Sequence, residues 1–375
     1  MKTDNENRIT SIDIIKGIAI LLVVYAHTAP FCRNFLYTFT LQIFLITSGY
    51  CFKNRISDFA SWKHYMAGKL RSLYVPCAVC NGIYALLEGL FLRIGLYTDD
   101  PAFISMTKNW PVPQRIYSAH TVTDILRKFA RVILLTDTTQ MGTATWFLIL
   151  LLVICAVHGA ISCLIIRLNP ILGRVILISI FILMSALGQY VRLNIPGWDF
   201  VRCSFFGYAV FLIGIIIKEL NLGFLENPFL GLASFLSLAW FSRFYFMELA
   251  NARIDNVAIF MLGSLGGWCM LKPLADIIAN MPHLSSIFRY IGKKTIPIIC
   301  LHILLFKAVT WLYILTHALP RIYLASFHVY FDTSELYKLL YLAVGAGGSL
   351  LIAGLWNRLP WFKGRFPAAS SFLSS

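Results

Sequence analysis

Apolar runs of roughly 17–25 residues, the length an α-helix needs to cross a ~30 Å hydrocarbon core, recur from one end of this chain to the other. They fall at about 12–30, 35–52, 73–94, 144–166, 174–190, 203–217, 228–246, 257–271, 295–316 and 336–356. Lipid leaves a spanning backbone only itself to bond with. The runs therefore predict an all-α polytopic membrane bundle of about ten transmembrane helices. The 375 residues are 58% hydrophobic and 13% charged, and their mean hydropathy is +0.73, more apolar surface than a soluble core of this size buries. A single transmembrane domain over 1–375 is expected, with no soluble domain. Charged residues inside the first run, and no small-residue cleavage pattern after it, mark a retained span rather than a signal peptide.

The net charge of +15 is read as topology, not as a nucleic-acid footprint. With both termini in the cytoplasm, the inside segments collect Lys2 and Arg8, then Lys53, Arg55, Lys63, Lys69 and Arg71. Arg167, Arg174, Lys218, Lys272, Arg289, Lys293, Lys294, Arg358, Lys363 and Arg365 follow on that side. The outside segments hold mainly Arg115, Arg127, Lys128 and Arg131, in the 95–143 loop. That bias obeys the positive-inside rule and gives an N-in, C-in orientation. Within the loop, Ile125, Leu126, Phe129, Val132 and Ile133 alternate with the basic residues as in an amphipathic interfacial helix; the loop is either functional or a plain connection. The nine cysteines are scattered. Cys77 and Cys80 form one C-x-x-C with no answering pair, so they read as packing residues and no metal is expected. No phosphate-binding glycine loop or G-x-S-x-G elbow is present.

The chemistry then falls to polar groups inside the membrane, which are expensive there and face a protein interior or a wet cavity. The stretch SIDIIKGIAILLVVYAHTAP carries Asp13, Lys16 and His27. At about 100° per residue the three share one face, with Lys16 and His27 about 16 Å apart along it. Asp13 is within reach of Lys16 or Arg8 for a supporting ion pair. His302 stands alone on an apolar background, where an interior hydrogen-bonded role competes with a site role. Gln42 and Trp146 are either acceptor-pocket residues or, for the tryptophan, an interfacial anchor. Ser48, Gly49 and Tyr50 read as helix-packing positions. His158, Lys307 and Glu88 have no motif around them.

RITSIDIIKGIAILLVVYAHT followed by FTLQIFLITSGYCF resembles the opening of the bacterial acyltransferase family 3 integral membrane proteins, and within them the fucose 4-O-acetylase-like sugar acetyltransferases. KLRSLYVP, TWFLILLLV and IGKKTIPIICLH resemble later segments of that family in order and spacing. The resemblance implies transfer of an acyl group, usually acetyl, from cytoplasmic acyl-CoA to a hydroxyl of a glycan or glycolipid at the outer face. By position, His27 would be the catalytic histidine, as general base or as acyl carrier. Lys16 would stand for the arginine of the family's D-G-x-R-G, and Lys69 with Arg71 for its basic donor-side pair; Trp146 and His302 would border the acceptor. Two departures are plain. Lys16 keeps the charge without the bidentate fork, and KLR is not the usual pair of arginines three apart. The other class that intramembrane charges and about ten spans allow is a transporter or exporter of a glycan or small anion; no half-to-half repeat favours it.

Overall fold

The computed structural model describes residues 2–53, 56–107, 121–191, 198–330 and 332–358, with side chains from residue 10 onward and without those of 198, 199 and 356–358. Of the basic residues assigned above to topology, Lys2, Arg8 and Arg358 belong to helices but their side chains lie outside the described residues, as do Arg55, Arg115, Lys363 and Arg365 altogether.

The described residues are helical almost throughout. The chain opens with α1 (Lys2–Ala26), α2 (Arg33–Tyr37), α3 (Thr40–Tyr50) and α4 (Phe59–Lys69). A π-helical turn over Leu70–Tyr74 carries α4 into α5 (Val75–Arg93), followed by α6 (Pro101–Met106), α7 (Val122–Ile133) and α8 (Trp146–Ile165). Next come α9 (Pro170–Tyr190), α10 (Trp198–Glu219) and α11 (Pro228–Phe241), then a short antiparallel hairpin of β1 (Met247–Glu248) and β2 (Arg253–Ile254). The chain continues through α12 (Val257–Ala279), α13 (Pro282–Gly292), α14 (Thr295–Thr316), α15 (Glu335–Leu342) and α16 (Gly348–Arg358), the last two joined by a π-turn over Ala343–Gly347.

Among the described residues seven helical segments are long and apolar enough to cross a membrane: Phe59–Arg93, Thr143–Ile165, Pro170–Tyr190, Phe200–Glu219, Val257–Ala279, Thr295–Thr316 and Glu335–Leu355. The run at 12–30 is the later part of α1, a helix of 25 residues whose side chains are described from residue 10 and which ends at Ala26 before the Thr28–Pro30 turn. The other two expected runs differ for physical reasons. The run at 35–52 is broken between α2 and α3, where Thr38 Oγ1 donates to the Phe35 carbonyl (2.7 Å) and Gln42 Nε2 to the Tyr37 carbonyl (2.9 Å). These side chains satisfy carbonyls that the helical ladder releases. The 11 residues of α3 rise about 16 Å, roughly half a hydrocarbon core. The run at 228–246 is helical only to Phe241.

The first helix sits in the middle of the protein. Ile12, Ile14, Ile15, Ala19, Ile20 and Val24 are each at most 1% exposed, so most of the surface of α1 packs against protein, and the stripe of Ile18, Leu21, Leu22 and Tyr25 is half-buried. By contrast α9 leaves Ile171, Val175, Ile178, Ile182 and Leu183 exposed, the pattern of an outer, lipid-facing helix. Two glycine pairs set the closest crossings. Gly17 of α1 meets the Phe288 carbonyl of α13, and Gly292 meets the Asp13 carbonyl; Gly49 of α3 and Gly214 of α10 meet each other's helices in the same way. A Cβ at any of the four would overlap backbone, which is how small residues let membrane helices approach. The reading of Gly49 as a packing position holds.

Contacts across the bundle separate two ends. At one, Ser11 Oγ donates to Asp276 Oδ1 at 2.6 Å, and Lys272 Nζ bridges Asp276 and Glu226 at 2.6 and 2.8 Å. Lys218 Nζ donates to the Phe52 carbonyl there. At the other end Tyr25 Oη donates to Glu335 Oε2 at 3.0 Å, and Cys203 packs on the hairpin side at Leu249. The amphipathic segment forms as α7, opened by a reciprocal Thr121–Asp124 capping box. Its apolar face rests on α5, Phe129 against Gly82 and Ile125 against Gly89, while Arg127 and Arg131 point outward.

Candidate active site

A cavity of about 500 Å³ penetrates the hairpin end of the bundle. Its floor is apolar, with Ile20 and Val23 of α1 and Phe44 of α3; its rim is the exposed Asn251 and Arg253 of the hairpin. His27, which follows the last turn of α1, His302 of α14 and His328 of the loop before α15 meet in its wall. The ring centroids of His27 and His302 are 5.3 Å apart, and those of His27 and His328 are 4.6 Å apart with the rings edge to face.

Local structure fixes two of the three rings. His302 Nδ1 lies 2.6 Å from the carbonyl oxygen of Ile298, one turn earlier on α14. A carbonyl only accepts, so Nδ1 carries the proton and Nε2 of the neutral ring keeps its lone pair. That Nε2 is buried and has no hydrogen-bond partner among the described residues. Gln42 is in the same condition: its Nε2 is spent on the Tyr37 carbonyl while Oε1 is buried and unpartnered. His328 is placed by a different device. Lys307, buried on α14, donates from Nζ to the carbonyls of Leu324 (3.1 Å) and Ser326, tying down the segment that leads into Phe327 and His328. The lysine without a motif is thus a clamp for the loop that completes the histidine group. Nothing local announced His328; a histidine among aromatics in SFHVYF has no periodic or motif signal, and only the tertiary return of the loop brings it to α1.

The remaining wall mixes aromatic and polar side chains. Trp146 and Tyr37 line it, the Tyr37 ring with the Arg33 guanidinium 5.1 Å from its centroid, and Thr40, Thr143, Arg33 and Glu248 offer hydrogen-bonding groups. Among the described residues, no set of three His, Cys, Asp or Glu side chains is placed to hold a metal ion; the histidines face one another through ring contacts instead.

The sequence-derived residues divide into two places. His27, His302, Gln42 and Trp146 share the cavity. Lys16 does not line it but lies one turn, about 6 Å, beyond Ile20 on the stripe of α1 that runs through Ile20 and Val23 to His27. Its ammonium is 3.9 Å from Asp13 Oδ1, and Arg289 and Lys293, of α13 and just beyond it, add their charges around the same carboxylate. In the sequence these two read only as topology charges; the glycine crossing of α1 and α13 makes them part of this group. The side chain of Arg8 lies outside the described residues. Lys69 and Arg71 line neither the cavity nor the Asp13 group: Lys69 sits 5.1 Å over the Tyr65 ring, and Arg71 is exposed on the π-turn. His158 has its own partner, with Nδ1 3.1 Å from Tyr208 Oη, and borders a second cavity near Lys218 and Arg174.

The acyltransferase domain family matches residues 9–318, a stretch that holds Asp13, Lys16, His27, Trp146 and His302 and stops short of His328. No curated protein matches the chain, and no solved structure does. With a match over most of its length and its polar residues gathered at a cavity among membrane-crossing helices, the chain is a multi-pass membrane protein that belongs to acyltransferase family 3.

Proposed function

We propose that the protein is an O-acyltransferase of the bacterial cytoplasmic membrane that moves an acetyl group from acyl-CoA to a sugar hydroxyl of a cell-surface polysaccharide or lipid-linked glycan. The observation that carries this reading is a pair of buried acceptor atoms on two cavity-lining residues, His302 Nε2 and Gln42 Oε1, without a partner among the described residues, beside His27. Both await a donor, and a sugar supplies hydroxyl donors together with an apolar face that Trp146 can cover. A 500 Å³ space lies in the ordinary range for small-ligand sites.

The donor end belongs at Lys16. Lys16, Arg289 and Lys293 surround the single carboxylate of Asp13, an excess of positive charge able to attract the phosphates of CoA. From there the α1 stripe leads to His27, where the thioester meets the acceptor. A sugar hydroxyl is a poor nucleophile until a base takes its proton, and the cavity supplies histidine for that step. Lys69 and Arg71 lie off this route, so their role is attraction of donor or anionic lipid at the surface rather than contact with the reacting end. In this reading the end of the bundle with Ser11, Asp276 and Lys272 faces the cytoplasm, and the hairpin faces outward.

The test is mass spectrometry of surface glycans and lipid-linked precursors from cells with the protein, without it, and with His27→Ala. The expected result is an acetyl-sized increment only with the native protein, on a fragment that names the acceptor. Equal acetylation in all three, with a glycan or anion changing sides of the membrane instead, would replace the enzyme by a transporter.

A further inference from the structure

We propose that His302 is the general base that takes the proton of the acceptor hydroxyl, and that His27 faces the thioester. The inference rests on the O-acyl-transfer reading above and assigns the roles within it.

Two features separate His302 from His27, and a third belongs to the wall beside it. The tautomer of His302 is fixed, because the Ile298 carbonyl holds the Nδ1 proton at 2.6 Å. Its Nε2 therefore offers a lone pair in one direction, oriented by a third group as in other base-assisted nucleophile sites. Second, that nitrogen is buried in a residue with no exposed surface and has no partner among the described residues. A histidine kept only to bond its own helix would gain nothing from stranding its second nitrogen; an incoming hydroxyl supplies the missing donor. Third, Gln42 Oε1 is a second stranded acceptor in the same wall, so the cavity is prepared for a guest with more than one O–H. His27, for its part, lies at the end of the α1 stripe that begins at Lys16, on the donor route.

The step balances without a further reactant. The hydroxyl oxygen bonds to the acyl carbon as its proton passes to His302 Nε2. The C–S bond breaks with its electron pair on sulfur, and the thiolate takes the proton from Nε2. The Nδ1–H bond to Ile298 stays in place, so the base returns to its starting tautomer.

The experiment uses the full chain in proteoliposomes, radiolabelled acetyl-CoA and a panel of octyl glycosides as acceptors. His302→Asn places an amide N–H where Nδ1–H was, keeps the Ile298 contact and removes the base; His302→Ala opens room for imidazole. Both should lower transfer by about 10²–10⁴-fold. His302→Asn should unfold at the native temperature and lose the acid limb of the rate profile, while added imidazole should restore transfer in His302→Ala, following the free-base form. If both variants transfer at the native rate with the native pH profile, or if imidazole restores nothing while the Asn variant keeps the acid limb, His302 is a structural residue and the inference fails. A native protein that acetylates no glycoside would instead strike the preceding reading, and this one with it; an active native protein keeps the two failures apart. Should His302→Ala not fold, the Asn variant and its pH profile decide alone.

Discussion

Lys307 shows how much one buried residue can hold in place without touching a guest. Its ammonium donates to the Leu324 and Ser326 carbonyls, and the loop they belong to presents His328 to His27. Lys307→Met keeps much of the volume but strands both carbonyls, each at a cost of about 1–3 kcal/mol. A lower thermal midpoint in detergent and faster amide exchange across 324–328 are the expected outcomes; an unchanged midpoint would remove the clamp from the account. At the donor end, Lys16→Ala should raise KM for acyl-CoA about tenfold with a smaller effect on kcat, the signature of lost ground-state binding, read from steady-state transfer. Asp13, Lys16 and His27 were legible because their relation is helical periodicity within one segment. The Ile298 contact of His302 is also local, one helical turn, but carboxamide and imidazole acceptors left without donors become visible only when the surrounding helices are in place. His328 needed the tertiary path of a loop.

Between elements, the crossing of α1 and α13 decides whether the donor group exists at all. Gly17 and Gly292 let the two backbones touch, which brings the charges of Arg289 and Lys293 to Asp13. Gly292→Val pushes a branched side chain into the Asp13 carbonyl, an overpacking worth about 1–3 kcal/mol or more. The expected outcome is a lower unfolding midpoint together with a raised KM for acyl-CoA; a variant with native stability and native KM would show that the crossing can loosen without consequence. Glycines in an apolar run were readable as packing residues, but not which helix they met. Helix length was read less well. The 35–52 run looked like one span because its hydropathy is continuous, yet Thr38 and Gln42 bond back to carbonyls and split it, a competition between side chain and backbone that a hydropathy window averages away. The same averaging hid the Met247–Ile254 hairpin, whose tip rims the cavity.

At the scale of the molecule, the class of fold was written in the apolar runs because the bilayer imposes length and backbone satisfaction on every segment at once. What those constraints do not specify is the order of helices around α1. Packing of most of the α1 surface against other helices explains why a run apolar enough to span carries an aspartate, a lysine and a histidine: Asp13 is buried, Lys16 and His27 are half-buried, and the stripe from Lys16 to His27 ends in the cavity beneath the hairpin. The account therefore makes the protein directional, with donor at the α1 N-terminal end and acceptor at the hairpin end. The measurement that tests this most directly is acetyl transfer in sealed vesicles of known sidedness, with labelled acetyl-CoA supplied to one face at a time. The account predicts label on hairpin-face glycans only when acetyl-CoA reaches the face at which α1 begins, and none with His27→Ala. Labelling from acetyl-CoA at the hairpin face alone, or equal labelling with His27→Ala, would contradict it.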